Sequence, residues 1–168
     1  MSKSTFENKI CSRQELSQLR QNWQTNKSSV CFTNGCFDIL HLGHVKYLAE
    51  AKSKADVLIV GINSDSSVKK LNNGPNRPIN DEVSRACILA ALVFVDCVVI
   101  FNEETPEALI NEIIPDILVK GGDYDPSQEN INHSKHIVGR EVVLKNGGVV
   151  DTIDFIAGFS TTSIIKKL

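Results

Sequence analysis

No apolar run in this 168-residue chain approaches the ~20 residues a membrane-spanning helix needs, so no membrane partner is expected. Met1 to Lys9 is polar, so no secretory signal peptide is expected. The formal net charge is −2, so no overall basic field points to nucleic acid. The five cysteines are odd in number, and none stands in a C-x-x-C pair. Cys31, Cys87 and Cys97 sit in apolar runs and read as reduced core thiols, which favours a reducing cytoplasm. Internal repeats and low-complexity segments are also missing. What is present is ordinary for a globular chain: 42% hydrophobic and 23% charged residues. The length suits one domain with a short addition. The expected division is a helical extension over 1–28 ahead of a domain over 29–168.

The local patterns alternate strand and helix. Ser12-Arg13-Gln14-Glu15 reads as a capping box that opens a helix to about Thr25. Ser29–Thr33 reads as the first buried strand, and Gly43 to Ser53 as a helix. Val57-Leu58-Ile59-Val60-Gly61-Ile62 is a continuous apolar run, as a central parallel strand requires. A short helix to Leu71 follows, then a loop over Asn72 to Asn80, rich in Asn and Pro. Asp81 to Leu92 reads as a helix and Cys97 to Phe101 as a strand. Thr105 is expected to cap a helix to about Ile114, with Pro106 at its first position. Asp116 to Lys120 is another buried strand. Residues 123–136 read as loop. Ile137 to Leu144 and Val149 to Phe155 read as strands, or as a strand with a short helical lead. Ser160 to Ser163 is expected to cap a final helix over Ile164 to Leu168. Such alternation implies a parallel sheet with helices on both faces, with ligands at the carboxyl ends of the strands.

The chemistry concentrates in Phe32-Thr33-Asn34-Gly35-Cys36-Phe37-Asp38-Ile39-Leu40-His41-Leu42-Gly43-His44. A strand, a glycine-containing turn and a helix start form an anion site, because free N–H groups and the helix dipole both favour phosphate. His41 and His44 there can donate to phosphate oxygens as charge builds up. Two histidines at this spacing also occur on solvated faces or at a metal. Four hydroxyl residues, Ser160 to Ser163, stand at the last helix start, where capping needs only one. Lys46 either offsets phosphate charge or is a solvated lysine. In Leu118-Val119-Lys120-Gly121-Gly122-Asp123, the glycines allow close backbone approach; Lys120 could hold a phosphate and Asp123 a sugar hydroxyl. Asn63 and Asp65 could bond a polyol. Arg77 and Arg85 are candidate phosphate or positioning groups, with a surface role equally open. Asp38 reads as a metal ligand or as an ordinary turn residue.

The HLGH block resembles the HxGH signature of the nucleotidyltransferase superfamily that includes cytidylyltransferases and class I aminoacyl-tRNA synthetases. Ser160-Thr161-Thr162 resembles the STT motif of its cytidylyltransferase-like branch. FTNGCFDILHLGHVKYLAEAK, VGINSDSSVKKL, NRPIN, PDILVKGGDY and STTSIIKKL together resemble the adenylyltransferase family of ADP-heptose biosynthesis, over about Leu16 to Leu168. The resemblance implies a Rossmann-like three-layer α/β/α fold with a central parallel sheet. It also implies adenylyl transfer from ATP, with Mg²⁺, to D-glycero-D-manno-heptose 1-phosphate, in supply of lipopolysaccharide or another surface glycan. By the same resemblance, His41, His44 and Lys46 are catalytic. Thr33, Asn34, Gly35, Cys36, Phe37, Gly43, Ser160, Thr161 and Thr162 hold the nucleotide. From the residue reading above, Asn63, Asp65, Arg77, Arg85, Lys120, Gly121, Gly122 and Asp123 are the candidate acceptor-binding residues. No metal ligand is named, since Mg²⁺ leans on substrate phosphates and water. Only about 30 residues precede the first strand, too few for a kinase domain. A separate heptose kinase is therefore expected, and the resemblance makes a homo-oligomer the expected assembly. Three other readings stay open: another sugar- or polyol-phosphate nucleotidyltransferase such as a glycerol-3-phosphate cytidylyltransferase, a hydrolase with a metal on His41 and His44, and a non-catalytic nucleotide-binding module.

Overall fold

The computed structural model describes residues 5–71, 76–156 and 158–165. The start of the expected 72–80 loop and the end of the expected final helix, Lys166 to Leu168, lie outside them. The chain forms β1 (Ile10–Cys11), α1 (Arg13–Thr25), β2 (Val30–Gly35), α2 (Leu42–Ser53), β3 (Val57–Asn63) and α3 (Asp65–Lys70). It continues through α4 (Glu82–Ala90), β4 (Cys97–Phe101), α5 (Glu107–Ile113), β5 (Ile117–Gly121), α6 (Arg140–Lys145), β6 (Val149–Ile153) and α7 (Thr161–Ile165). The described strands make one six-stranded, all-parallel sheet in the order β1-β4-β3-β2-β5-β6. This is the expected Rossmann-like α/β class.

Two apolar layers follow from strand alternation. Val30, Phe32, Ile59, Val99 and Leu118 face Leu16, Leu109, Ile113 and Val143, on the side of α1, α5 and α6. Cys31, Leu58, Val60, Val98 and Val119 face Leu48, Ala51, Ala86 and Leu89, on the side of α2 and α4. The central strands are apolar on both faces because both faces are covered.

The Ser12 capping box is present, with Ser12 Oγ accepting from the Glu15 amide and Glu15 accepting from the Ser12 amide. Two local expectations are corrected. Pro106, rather than Thr105, occupies the cap position of α5 and supplies no side-chain bond. Of the two readings open for 137–155, the strand with a short helical lead is the one formed: Gly139, at φ 88°, opens α6, and the turn at 146–148 leads into β6. The last helix starts at Thr161, three residues early, because Ser160 Oγ accepts from the Ser163 amide. Within the region expected as an extension, Ile10–Cys11 pairs with Val98 and Val99 of β4. Two residues are too few to show a strand period.

The topology positions the site. From β2 the chain moves one way to β3 and β4, then crosses back to place β5 on the other flank of β2. The order reverses at β2 and β5, so a crevice opens at their carboxyl ends.

Candidate active site

A cavity of about 530 Å³ lies at that crevice. Asn34, Gly35, Cys36 and Phe37 from the end of β2, and His41, Gly43, His44 and Tyr47 of the α2 start, form one wall. Lys120, Gly121, Asp123 and Tyr124 from the end of β5 form a second. Phe155, Ile156, Phe159, Ser160 and Thr161 close the third. Segments about 120 residues apart in the sequence thus face one volume.

His41 is the N-cap of α2, in an extended conformation, and its Nδ1 accepts from the His44 amide at 3.4 Å. An accepting Nδ1 carries no proton, so neutral His41 holds its hydrogen on Nε2 as a donor. The His41 and His44 rings stack at 3.7 Å between centroids, and the Phe37 ring meets His44 edge-on at 5.1 Å. Phe37 reaches that position at φ 47°, a left-handed backbone that is costly outside glycine and clusters at functional sites. Burial, then the His41 ring, push the His44 pKa down to about 4, while a loose contact to the Ile39 carbonyl pulls it back. Its buried Nδ1 has no well-formed hydrogen bond among the described residues. Burial also lowers the His41 pKa. The His44 imidazole is therefore neutral at pH 7, and the pair adds no like-charge repulsion.

That shift has a stability consequence. The folded pKa lies below the usual 6.5, so below 6.5 the unfolded chain binds more protons than the native one. Stability falls as pH drops from 6.5 towards 4, by roughly 3 kcal/mol from this group in all. Urea midpoints measured between pH 7 and pH 4 should fall less steeply in His44→Gln than in the parent chain. Parallel slopes would refute the assignment.

Lys120 bridges the crevice, donating through Nζ to Asn34 Oδ1 at 3.1 Å and lying 4.8 Å from the Tyr124 ring centre. Burial lowers its pKa to about 8, against the pull of Asp123. It is thus a protonated, incompletely solvated cation at neutral pH, which favours an incoming phosphate. Gly121 is required sterically, since a Cβ there would lie 2.1 Å from Phe155 Cζ. A Cβ on Gly43 would come within 3.0 Å of His41 Nδ1 and 3.3 Å of Phe159 Cβ, so the segment before α7 packs on the histidine turn.

Several expected site residues lie elsewhere. Asp38 is 1% exposed and accepts from Arg77 Nε and from the Ile79 and Asn80 amides, at 2.8 to 3.0 Å. Its oxygens anchor the 77–80 segment, which answers the metal-ligand reading with a structural one. Arg85, also 1% exposed, donates to Cys36 O, Asn80 O and Asp65 Oδ1. Arg85 and Asp65 are thus paired beneath the turn and do not line the cavity. Thr33 is buried and shares a 2.7 Å bond with the Tyr47 hydroxyl, supporting the wall from behind. Gly122 packs on Asp154. Lys46 is exposed and, like Thr162, is not among the cavity-lining residues. Asn63 lines a neighbouring cavity. Sequence reasoning missed Tyr47, Tyr124, Phe155, Ile156 and Phe159. The available signal was three large apolar residues between β6 and the hydroxyl cluster, where no strand or helix period explains them.

Among the described residues, no cluster of three or more His, Cys, Asp or Glu side chains could hold a metal on its own. Asp123 is the one carboxylate residue lining the cavity among the described residues. That donor set fits a Mg²⁺ ion that arrives with phosphates and retains water. It fits a protein-held zinc poorly, because among the described residues His41 and His44 find no third ligand placed to complete a site.

Residues 32–167 match the family model described as cytidylyltransferase-like. Bifunctional protein HldE of Campylobacter jejuni subspecies jejuni is 52% identical over 97% of this chain. The protein of the same name from Mesorhizobium japonicum is 53% identical over 87%. The chain spans about a third of the length of these relatives, 32% and 28% respectively. The crystal structure of a lipopolysaccharide core biosynthesis protein from Thermoplasma volcanium superposes with a TM-score of 0.58 at 29% identity, covering 77% of this chain and 97% of that one. A pantoate–β-alanine ligase from Francisella tularensis shares the fold, with a TM-score of 0.62 at 16% identity over 95% of this chain and 72% of that one. No helix among the described residues is long and apolar enough to cross a membrane.

Proposed function

The chain belongs to the cytidylyltransferase-like family and is a nucleotidyltransferase, and from that premise we propose that it transfers the adenylyl group of ATP to D-glycero-D-manno-heptose 1-phosphate. The products are ADP-heptose and pyrophosphate, supplied in the cytoplasm for lipopolysaccharide or another surface glycan. A heptose kinase would furnish the acceptor. The observation that carries the reading is convergence: the histidine pair at the α2 start, Lys120 at the end of β5 and the Ser160-Thr161 hydroxyls face one cavity. The motif resemblance supports heptose phosphate and ATP, and the Thermoplasma neighbour is a lipopolysaccharide core biosynthesis protein.

The acceptor phosphate, largely dianionic at pH 7 with a second pKa near ~6, is already a nucleophile. An acceptor oxygen forms a bond to the α-phosphorus as the bond to the bridging oxygen breaks, and pyrophosphate carries that electron pair away. No general base or covalent enzyme intermediate is needed. The protein's work is positioning and charge stabilisation. His41 donates through Nε2 towards the α-phosphate, with His44 beside it. The first amides of α2 and the Lys120 ammonium add positive potential. Ser160 and Thr161 hold the departing pyrophosphate. Mg²⁺, held mainly by phosphate oxygens with Asp123 at hand, would neutralise charge on the triphosphate.

Pyrophosphate release should require ATP, Mg²⁺ and one anomer of the heptose 1-phosphate, with CTP and GTP much slower. Release from CTP with glycerol 3-phosphate instead would move the assignment to a cytidylyltransferase. ATP binding without release from any acceptor would make the chain a nucleotide-binding module.

A further inference from the structure

A second cavity, of about 410 Å³, adjoins the first. The two share Asn34, Gly35, Cys36, Lys120 and Tyr124 as a common wall. The rest of its lining comes mainly from the β3 and β4 side of β2, with Asn63 at the end of β3, Leu71 after α3, and Glu104, Thr105 and Pro106 between β4 and α5; Val138, between β5 and α6, completes it. None of the histidines or the hydroxyls at the α7 start lines it.

The charges in this cavity are ordered. The cation, Lys120, stands on the shared wall, and the carboxylate, Glu104, stands on the wall that belongs to the second cavity alone. This order would orient a molecule with an anionic end and a hydroxyl-rich end. Its phosphate turns to Lys120, beside the histidine cavity, and its hydroxyls turn to Glu104 and Thr105. Glu104 and Thr105 make no side-chain hydrogen bond among the described residues, unlike the neighbouring Glu103, which pairs with Arg13. Asn63 Oδ1 meets only the Cys36 thiol, at 3.9 Å. The Tyr124 ring and Pro106 supply flat apolar surface, as pockets for small polar ligands do around a few placed polar groups.

We propose that Glu104, with Thr105, is a specificity-determining residue for the acceptor, accepting hydrogen bonds from hydroxyls of a sugar or polyol phosphate held in the second cavity. This rests on the transferase reading above. It adds the residues that separate a hydroxyl-rich acceptor from a poor one, since a site built to bond a hydroxyl discriminates against analogues lacking it.

The test uses the full chain with heptose 1-phosphate and glycerol 3-phosphate as acceptors. Glu104→Ala should raise the acceptor KM for the heptose phosphate about tenfold to a hundredfold, the loss of one charge-assisted bond. The KM for ATP should not change, and the preference for the heptose phosphate over glycerol 3-phosphate should shrink. Val138→Trp, which fills the cavity, should block the acceptor while calorimetry still detects ATP binding. An unchanged acceptor KM, or a raised KM for ATP, overturns the proposal. If the parent chain releases pyrophosphate with neither acceptor, the heptose substrate reading fails separately. Calorimetric titration of heptose 1-phosphate into both chains then decides: weaker binding to Glu104→Ala sustains the cavity assignment, and equal or absent binding ends it.

Discussion

Replacing His44 with alanine is expected to lower kcat by a hundredfold or more and to leave the protein folded. The His44 ring lines the donor cavity, stacked on His41 and edge-on to Phe37, which holds it in one orientation. A donor fixed in this way needs no reorganisation when charge develops on the α-phosphoryl oxygens. Losing one such group costs about 10²–10³ in turnover. The loss falls on kcat more than on the KM for ATP, because the interaction strengthens as charge moves. The fold tolerates the change, since the ring's buried Nδ1 has no well-formed hydrogen bond among the described residues. The check is steady-state pyrophosphate release alongside a thermal melt at pH 7. Near-normal turnover in a folded variant would remove His44 from the chemistry, and would leave His41 Nε2 and Lys120 as the donors to examine.

Arg85→Met is expected to act in the opposite manner, on stability first. The guanidinium side chain is fully buried and donates to two carbonyls and one carboxylate: Asn80 O at 3.0 Å, Cys36 O at 2.7 Å and Asp65 Oδ1 at 2.8 Å. Methionine fills part of the volume but leaves both carbonyls without their partner, and leaves Asp65 facing an uncharged side chain. Breaking one side of a buried pair costs about 3–5 kcal/mol. For a chain of this size that is roughly 10 °C in Tm. Arg85→Lys should fall between the two, since an ammonium cannot reproduce the planar fork that reaches three acceptors. The readouts are Tm and the KM for each substrate. A phosphate-binding Arg85, the role the sequence offered, would show the reverse: normal Tm with a raised KM. The Cys36 carbonyl belongs to the turn that carries Phe37, so some loss of kcat should accompany the loss of stability.

The elements that could be read from the chain alone are those with a local cause. Val57 to Ile62 is apolar without interruption because β3 is covered on both faces, and that pattern names a central strand before any partner is known. Ser12 and Glu15 announce α1 because both capping bonds close within one turn. The HLGH and Ser160-Thr161-Thr162 segments could be singled out because hydroxyls and imidazoles at helix starts are a local feature. The family resemblance rests on those same strings. Which charged residues face the cavity was not legible, since that depends on partners supplied by remote segments. Asp38 is taken by Arg77, 39 residues away, and Arg85 by Cys36, 49 residues away. Lys120 differs from Lys46 only because β5 delivers it to the β2 crevice, while α2 turns Lys46 to solvent. The aromatic wall of Phe155 and Phe159 was hidden for the same reason: apolar residues there mean a binding surface only once Gly121 and Gly43 are found against them. Local periodicity determined the elements and the motifs. The crossover at β2 and β5 decided which polar groups became a site, because only packing fixes whether a charge meets a partner, water or an open cavity.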